Sequence, residues 1–198
     1  MATLIVATKN EGKVREILHL LKNLPLEVKG LSNYPQKIQL PEETGSTFVE
    51  NARLKAHAVW NVTKGFVLAD DSGLECADLA GSPGIYSARY AGLNATDDEN
   101  NKKLLEELQS LHDASRAARY VCALVLIDPH GQETIVVETC EGMITFVPSG
   151  TGGFGYDPYF YLPDKKCTMA ELSLDEKNKI SHRGKALMCL KEKLSSYK

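Results

Sequence analysis

The first thirty residues constrain the fold more than any other part of the chain. Leu4-Ile5-Val6-Ala7 is a short apolar run of the kind that fills a buried strand. Val14, Ile17, Leu18 and Leu21 follow at i, i+3, i+4 and i+7, the spacing of one helix face. Together they predict a strand over 3–7, a loop over Thr8–Gly12, a helix over about 12–23 and a strand over 26–31. That order is a βαβ-like start.

The remainder continues the alternation. Residues 32–46, with Pro35, Pro41 and Gly45, read as loop. Thr47-Phe48-Val49-Glu50 is a capping-box pattern that opens a helix to about 64, and Phe66–Ala69 is the next strand. Gly81-Ser82-Pro83-Gly84 is loop, and Thr96-Asp97-Asp98-Glu99 is a second capping box opening a helix to about 111. Arg119–Asp128 and Glu133–Glu141 alternate in the strand manner around Pro129-His130-Gly131-Gln132, which predicts an antiparallel hairpin. Residues 142–163 read as strand and Gly-rich loop, and a final helical region runs from about 174 to 195. The expectation is an α/β fold with a mixed central sheet and helices on both sides, formed as a single domain over residues 1–198.

Composition limits the function. With 198 residues, 43% of them apolar, the chain can bury a sizeable core. A net charge of −3 provides no general basic field, so no nucleic-acid partner is expected. The five cysteines are odd in number and none forms Cys-x-x-Cys, which fits reduced core thiols of a cytoplasmic protein. No apolar run approaches the ~20 residues of a membrane span, and Leu4–Ala7 is too short for a signal peptide.

Four stretches carry chemistry. Thr8-Lys9-Asn10-Glu11-Gly12-Lys13 lies between strand and helix, where backbone N–H groups and the helix dipole attract anions. It is no P-loop, because the earlier Gly and the following Ser or Thr are missing; a solvated loop with surface lysines is the plainer reading. Asp70-Asp71-Ser72-Gly73 follows an apolar strand, and the repulsion of adjacent carboxylates is expected to be offset by a hard divalent cation, Mg²⁺. Glu42-Glu43-Thr44-Gly45 is a second acidic pair. Gly150–Gly155 matches G-x-G-x-x-G by letter, but Asp157-Pro158-Tyr159 follows where a dinucleotide fold needs a helix. Phe154 and Tyr156 on that flexible loop suit stacking on a base, or else are core aromatics of a tight turn. Lys177 and Ser181-His182-Arg183-Gly184 complete the set; Arg183 offers a planar donor fork to purine carbonyls, and a surface or capping role is the alternative. Met169, Met188, Trp60 and Tyr86, Tyr90, Tyr120 and Tyr161 read as packing residues. Asp97, Asp98 and Glu99 favour a helix N-terminus and need no further role. His19, His57, His112 and His130 lie at no metal-ligand spacing.

These stretches occur together in one family. The chain closely resembles the Ham1-type inosine triphosphate pyrophosphatases, hydrolases of non-standard purine nucleotides. The matching pieces are Thr8-x-Asn10-x-x-Lys13, Glu43-Thr44-Gly45, Thr47-Phe48-x-Glu50-Asn51-Ala52, Ala69–Leu74, Pro83-Gly84-x-x-Ser87-Ala88-Arg89, Gly150–Pro158 and Ser181-His182-Arg183-Gly184. They span residues 4 to 190 with no departure at a motif position, Lys9 and Glu11 lying where the family is expected to vary.

The resemblance implies hydrolysis of ITP, dITP and XTP to the monophosphate and pyrophosphate with Mg²⁺, by a homodimer. It implies an elongated two-lobed fold with the site in a central cleft. Thr8, Lys9, Asn10, Glu11, Gly12 and Lys13 then hold phosphates, with Lys55 and Ser72 approaching them. Glu43 and Asp71 serve the metal, Asp70 supports it, and Asp71 is the base that activates water. Phe154, Gly155, Tyr156, Asp157, Lys177, His182 and Arg183 surround the purine. A Maf-like pyrophosphatase of other base specificity and a non-catalytic nucleotide sensor are the alternatives.

Overall fold

The computed structural model describes residues 2–34 and 37–195; Pro35, expected in a loop, lies outside the described residues. Strand β1 (Thr3–Val6) leads through Thr8–Asn10 into helix α1 (Glu11–Leu21) and strand β2 (Glu27–Gly30). β1 pairs in parallel with β2, Leu4 opposite Val28, and with β3 (Phe66–Cys76), Leu4 opposite Phe66. The expected βαβ opening is present. Helix α2 (Phe48–Thr63) precedes β3, and α3 (Asp97–Gln109) follows it. The predicted hairpin is β4 (Ala117–Ile127) and β5 (Glu133–Ile144); strands joined by so short a turn and adjacent in the sheet run antiparallel. β6 (Phe160–Leu162) pairs antiparallel with β5 and with β7 (Cys167–Thr168). The single mixed sheet has the order β2-β1-β3-β4-β5-β6-β7.

Two boundaries depart from expectation. β3 runs to Cys76 rather than stopping at Ala69, so Asp70 and Asp71 sit inside a strand. The final helical region is two helices, α4 (Leu174–Ile180) and α5 (His182–Leu194), because Ser181 adopts an extended backbone at φ −67°, ψ 157°. Ahead of α2, Thr47 accepts the Glu50 N–H, and the Glu50 carboxylate accepts from Ser46. The Thr96–Glu99 box closes in full.

The chain divides into two compact units. The first comprises residues 1–71, 122–138 and 183–198, the second residues 72–121 and 139–182. Strand periodicity organises the first. Leu4, Val6, Phe66 and Leu68 pack with α1 and α5, while Ile5, Ala7, Val67 and Ala69 pack with α2. Successive residues of a strand face opposite sides, so each strand feeds two cores, one per helical layer. The second unit has its own core, in which Leu104 and Leu108 of α3 meet Leu74, Tyr120, Ile144 and Phe160.

Candidate active site

The alternation that fills the two cores also disposes of the acidic pair. Asp70 continues the Phe66–Leu68 face and meets α1 and α5: its Oδ1 is 2.7 Å from Lys13 Nζ, and its Oδ2 accepts from Arg183 Nε at 2.8 Å. Asp71 continues the Val67–Ala69 face and meets α2, its Oδ1 accepting from Lys55 Nζ at 2.7 Å. Adjacent in sequence, the two carboxylates are on opposite faces, each neutralised by a lysine or arginine. Their repulsion needs no shared cation, which corrects the sequence argument for one.

On the first face, Asp70 is 0% exposed, Arg183 2% and Glu16 3%. Arg183 Nη1 donates to Glu16 at 2.6 Å, so one guanidinium spans two buried carboxylates. Burial opposes the charge on Asp70, but Arg183 and Lys13 outweigh it and hold the carboxyl well below the ordinary range. Burial likewise opposes the charge on Arg183, and Asp70 with Glu16 keeps the guanidinium protonated. Arg183 therefore differs from expectation: Nε and Nη1 of the fork meant for a purine edge are engaged by Asp70 and Glu16. The reason is electrostatic, since two buried carboxylates require a cation.

On the second face, Lys55 Nζ donates to both Asp71 and Glu43, at 2.7 Å each. Burial would strip the Lys55 proton, but Asp71 and Glu43 raise its pKa instead. Burial pushes Asp71 up to about 6 against the pull of Lys55 and then of Lys13. A carboxylate poised there can exchange a proton near neutral pH. Glu43 and Asp71 reach one cationic centre, Lys55 Nζ, and a pair of carboxylates completed by phosphate oxygens is a donor set that suits Mg²⁺. Asp70 does not join them, and among the described residues no cluster of three or more His, Cys, Asp or Glu is placed to hold a metal.

The predicted anion loop lies in the same unit. Ala7 N–H donates to the Leu68 carbonyl at 2.7 Å, which seats the end of β1 beside the strand carrying both aspartates. Thr8 Oγ1 accepts the Asn10 N–H at 3.2 Å, and Asn10 Oδ1 caps α1 by accepting the Lys13 N–H at 3.0 Å. The first N–H groups of a helix have no partner within it and point outward with the positive end of the dipole. Gly12 is buried in that first turn, whereas Lys9, Asn10 and Glu11 are exposed. Ser72 follows Asp71 on β3 and is half-buried.

The predicted base-binding residues, Arg183 apart, meet in the second unit around Asp157. Its Oδ2 accepts from Phe154 N at 2.9 Å and Lys177 Nζ at 2.5 Å, and its Oδ1 from Tyr120 O–H at 3.0 Å. Lys177 Nζ stands 4.9 Å from the Phe154 ring centroid. Gly153 has φ +74°, and a Cβ there would lie 2.0 Å from Asp157 Oδ2, so only glycine lets the loop close on the carboxylate. Gly155 donates to Asp97 at 2.6 Å and accepts from Asn101 at 3.0 Å, which anchors the loop to the start of α3. Asp97 thus has a role beyond the helix dipole. Tyr156 is buried with its hydroxyl on the Ser87 carbonyl at 2.8 Å, a core position and not a base platform; half-buried Phe154 is the aromatic suited to stacking.

Sequence reasoning missed Glu16 and Tyr120. Glu16 falls outside the apolar stripe of α1, and Arg183, 167 residues away, engages it in the core. Tyr120 read as packing, yet it donates to Asp157 and stacks on His182 at 4.6 Å and 15°. Tyr120→Phe keeps the stack and removes the hydroxyl. We expect KM for the substrate to rise about fivefold, as one lost hydrogen bond implies, while kcat holds. An unchanged KM would confine Tyr120 to packing.

Comparison with known proteins gives the family. Residues 4–193 match the Ham1 family. A protein of Geobacter sulfurreducens named dITP/XTP pyrophosphatase is 48% identical over 194 residues, covering 98% of this chain and 97% of its own. One of the same name from Halalkalibacterium halodurans is 54% identical over 184 residues, covering 92% and 94%. The structure of a HAM1 protein from Coxiella burnetii superposes with a TM-score of 0.89 at 42% identity, covering 98% of this chain and 99% of that one. A solved structure from Mycobacterium abscessus, titled nucleoside-triphosphatase / dITP/XTP pyrophosphatase, gives 0.74 at 38% identity. With its carboxylate and lysine pairs, anion loop and glycine-rich loop in place, the chain belongs to the Ham1 family.

Proposed function

We propose that this protein hydrolyses the non-standard purine nucleoside triphosphates ITP, dITP and XTP to the monophosphate and pyrophosphate. The observation that carries the reading is that Lys13, in the first turn of α1, acts electrostatically on Asp71 within the compact unit where Asp71 and Glu43 share Lys55. Residues of the first unit hold the polyphosphate. The family names support the substrate class.

Hydrolysis at the α-phosphorus expels pyrophosphate, whose growing charge must be met by fixed donors. Lys13 and the N–H groups opening α1 meet it, and Lys55 adds a second ammonium. Asp71, poised near neutrality, takes the proton of the attacking water. Asp70 acts through Lys13, fixing its ammonium. Mg²⁺ held by Glu43 and Asp71 supplies neutralisation of phosphate charge and a more acidic water. Phe154 stacks on the purine, with Asp157, Lys177 and His182 around its edge, and a base that leaves buried donors unpaired there loses about 1–3 kcal/mol per group. We further propose a homodimer acting in the cytoplasm; among the described residues no helix is long and apolar enough to cross a membrane.

The test is a panel of triphosphates, ITP, dITP, XTP, GTP, ATP and UTP, with and without Mg²⁺, followed for both products. Pyrophosphate and monophosphate from the first three, in Mg²⁺ only, is the expected result. Release of single phosphate, tight binding of ITP without turnover, or a pyrimidine preference would each overturn the assignment.

A further inference from the structure

Glu43 sits in a segment, residues 37–45, that belongs to no helix or strand, so no backbone ladder sets where its carboxylate stands. Two residues on, Gly45 is held. Its N–H donates to Asn51 Oδ1 at 2.8 Å, and Asn51 is 0% exposed in the first turns of α2. A Cβ on Gly45 would lie 2.7 Å from Glu50 Cβ and 3.0 Å from the Asn51 backbone nitrogen, so the segment presses directly on the helix. Ser46 is braced in turn by Glu50, through N–H and hydroxyl at 2.7 and 2.8 Å. Asn51 and Lys55 are four residues apart and share a face of α2. One holds the arm at Gly45, the other receives Glu43 at its end. Asn51 Nδ2 is buried with no hydrogen-bond partner among the described residues. An unpaired buried amide is unfavourable, and leucine would fill the same volume without it, so packing does not explain asparagine here.

We propose that Asn51 is a positioning residue, whose side-chain carbonyl fixes the arm so that Glu43 stands where a divalent cation shared with Asp71 requires it. The inference rests on Glu43 and Asp71 as the metal pair. Mg²⁺ tolerates little departure from octahedral geometry, which makes the placement of the Glu43 carboxylate decisive.

The test measures Mn²⁺ binding to the nucleotide-free protein by electron paramagnetic resonance, and separately the Mg²⁺ concentration giving half-maximal pyrophosphate release. Asn51→Leu weakens both about 5- to 30-fold, the loss of a hydrogen bond anchoring a charged ligand. Gly45→Ala, which leaves Asn51 in place and displaces the arm by contact alone, acts in the same direction. Asn51→Asp keeps an acceptor oxygen and stays within about threefold of the parent protein. Glu43→Gln combined with Asn51→Leu binds Mn²⁺ no more weakly than Glu43→Gln alone. Parental Mn²⁺ affinity in both Asn51→Leu and Gly45→Ala, or full additivity with Glu43→Gln, overturns the proposal while leaving the metal pair intact. If Glu43→Gln itself binds Mn²⁺ normally, the metal pair is wrong and the role of Asn51 falls with it.

Discussion

Asp71→Asn abolishes most turnover while the protein still folds and binds nucleotide. The substitution conserves shape and removes a group that meets Lys55 and titrates near neutrality. Loss of a general base lowers kcat by about 10²–10⁴, and a simultaneous loss of metal affinity deepens the effect. Stability responds in the other direction. Burial raises the folded pKa of Asp71 from the ordinary 3.8 to about 6, so between those values the folded state holds a proton that the unfolded chain has released. Asp71 therefore contributes a fall in metal-free stability as pH rises through that window, and Asp71→Asn lacks it. Chemical denaturation in EDTA across this range, with pyrophosphate release in Mg²⁺, checks both halves. Near-parental kcat in the variant would remove Asp71 from the chemistry.

Arg183→Met has the larger effect on folding. It removes the guanidinium from buried Glu16 and from Asp70, which keeps Lys13, and breaking a buried ion pair from one side costs about 3–5 kcal/mol. For a chain of this size that is a fall in Tm of about 6–20 °C. Adding Glu16→Gln removes one orphaned charge, so the double variant melts higher than the sum of the two single losses allows. Arg183→Lys does not rescue it, because a single ammonium cannot reproduce the separate Nε and Nη1 bonds. A melting point within about 2 °C of the parent, less than 1 kcal/mol shifts in a domain this long, would show that the three groups are not a unit.

What could be read from the letters alone follows from how local each cause is. The βαβ opening was legible because both periods, two and 3.6, show in Leu4–Ala7 and Val14–Leu21. The full length of β3 was not, since Asp70-Asp71-Ser72-Gly73 is poor strand sequence, kept extended by sheet neighbours and by ion pairs to distant helices. The break at Ser181 was hidden because residues on both sides suit a helix. Lys13, Lys55, Glu43, Asp71 and Asp157 were legible as a set through family resemblance. Their partners Glu16 and Tyr120 were not, because each acquires its role from a residue at least 37 positions away.

The placement of the two aspartates on opposite sides of β3 makes this segment intolerant of changed length. Losing or gaining one residue within Phe66–Ala69 would exchange the audiences of the two acids, presenting the proton acceptor to Lys13 and Arg183 and the structural anchor to Lys55. Every group would still be present and every charge still countered, yet the site would be inverted.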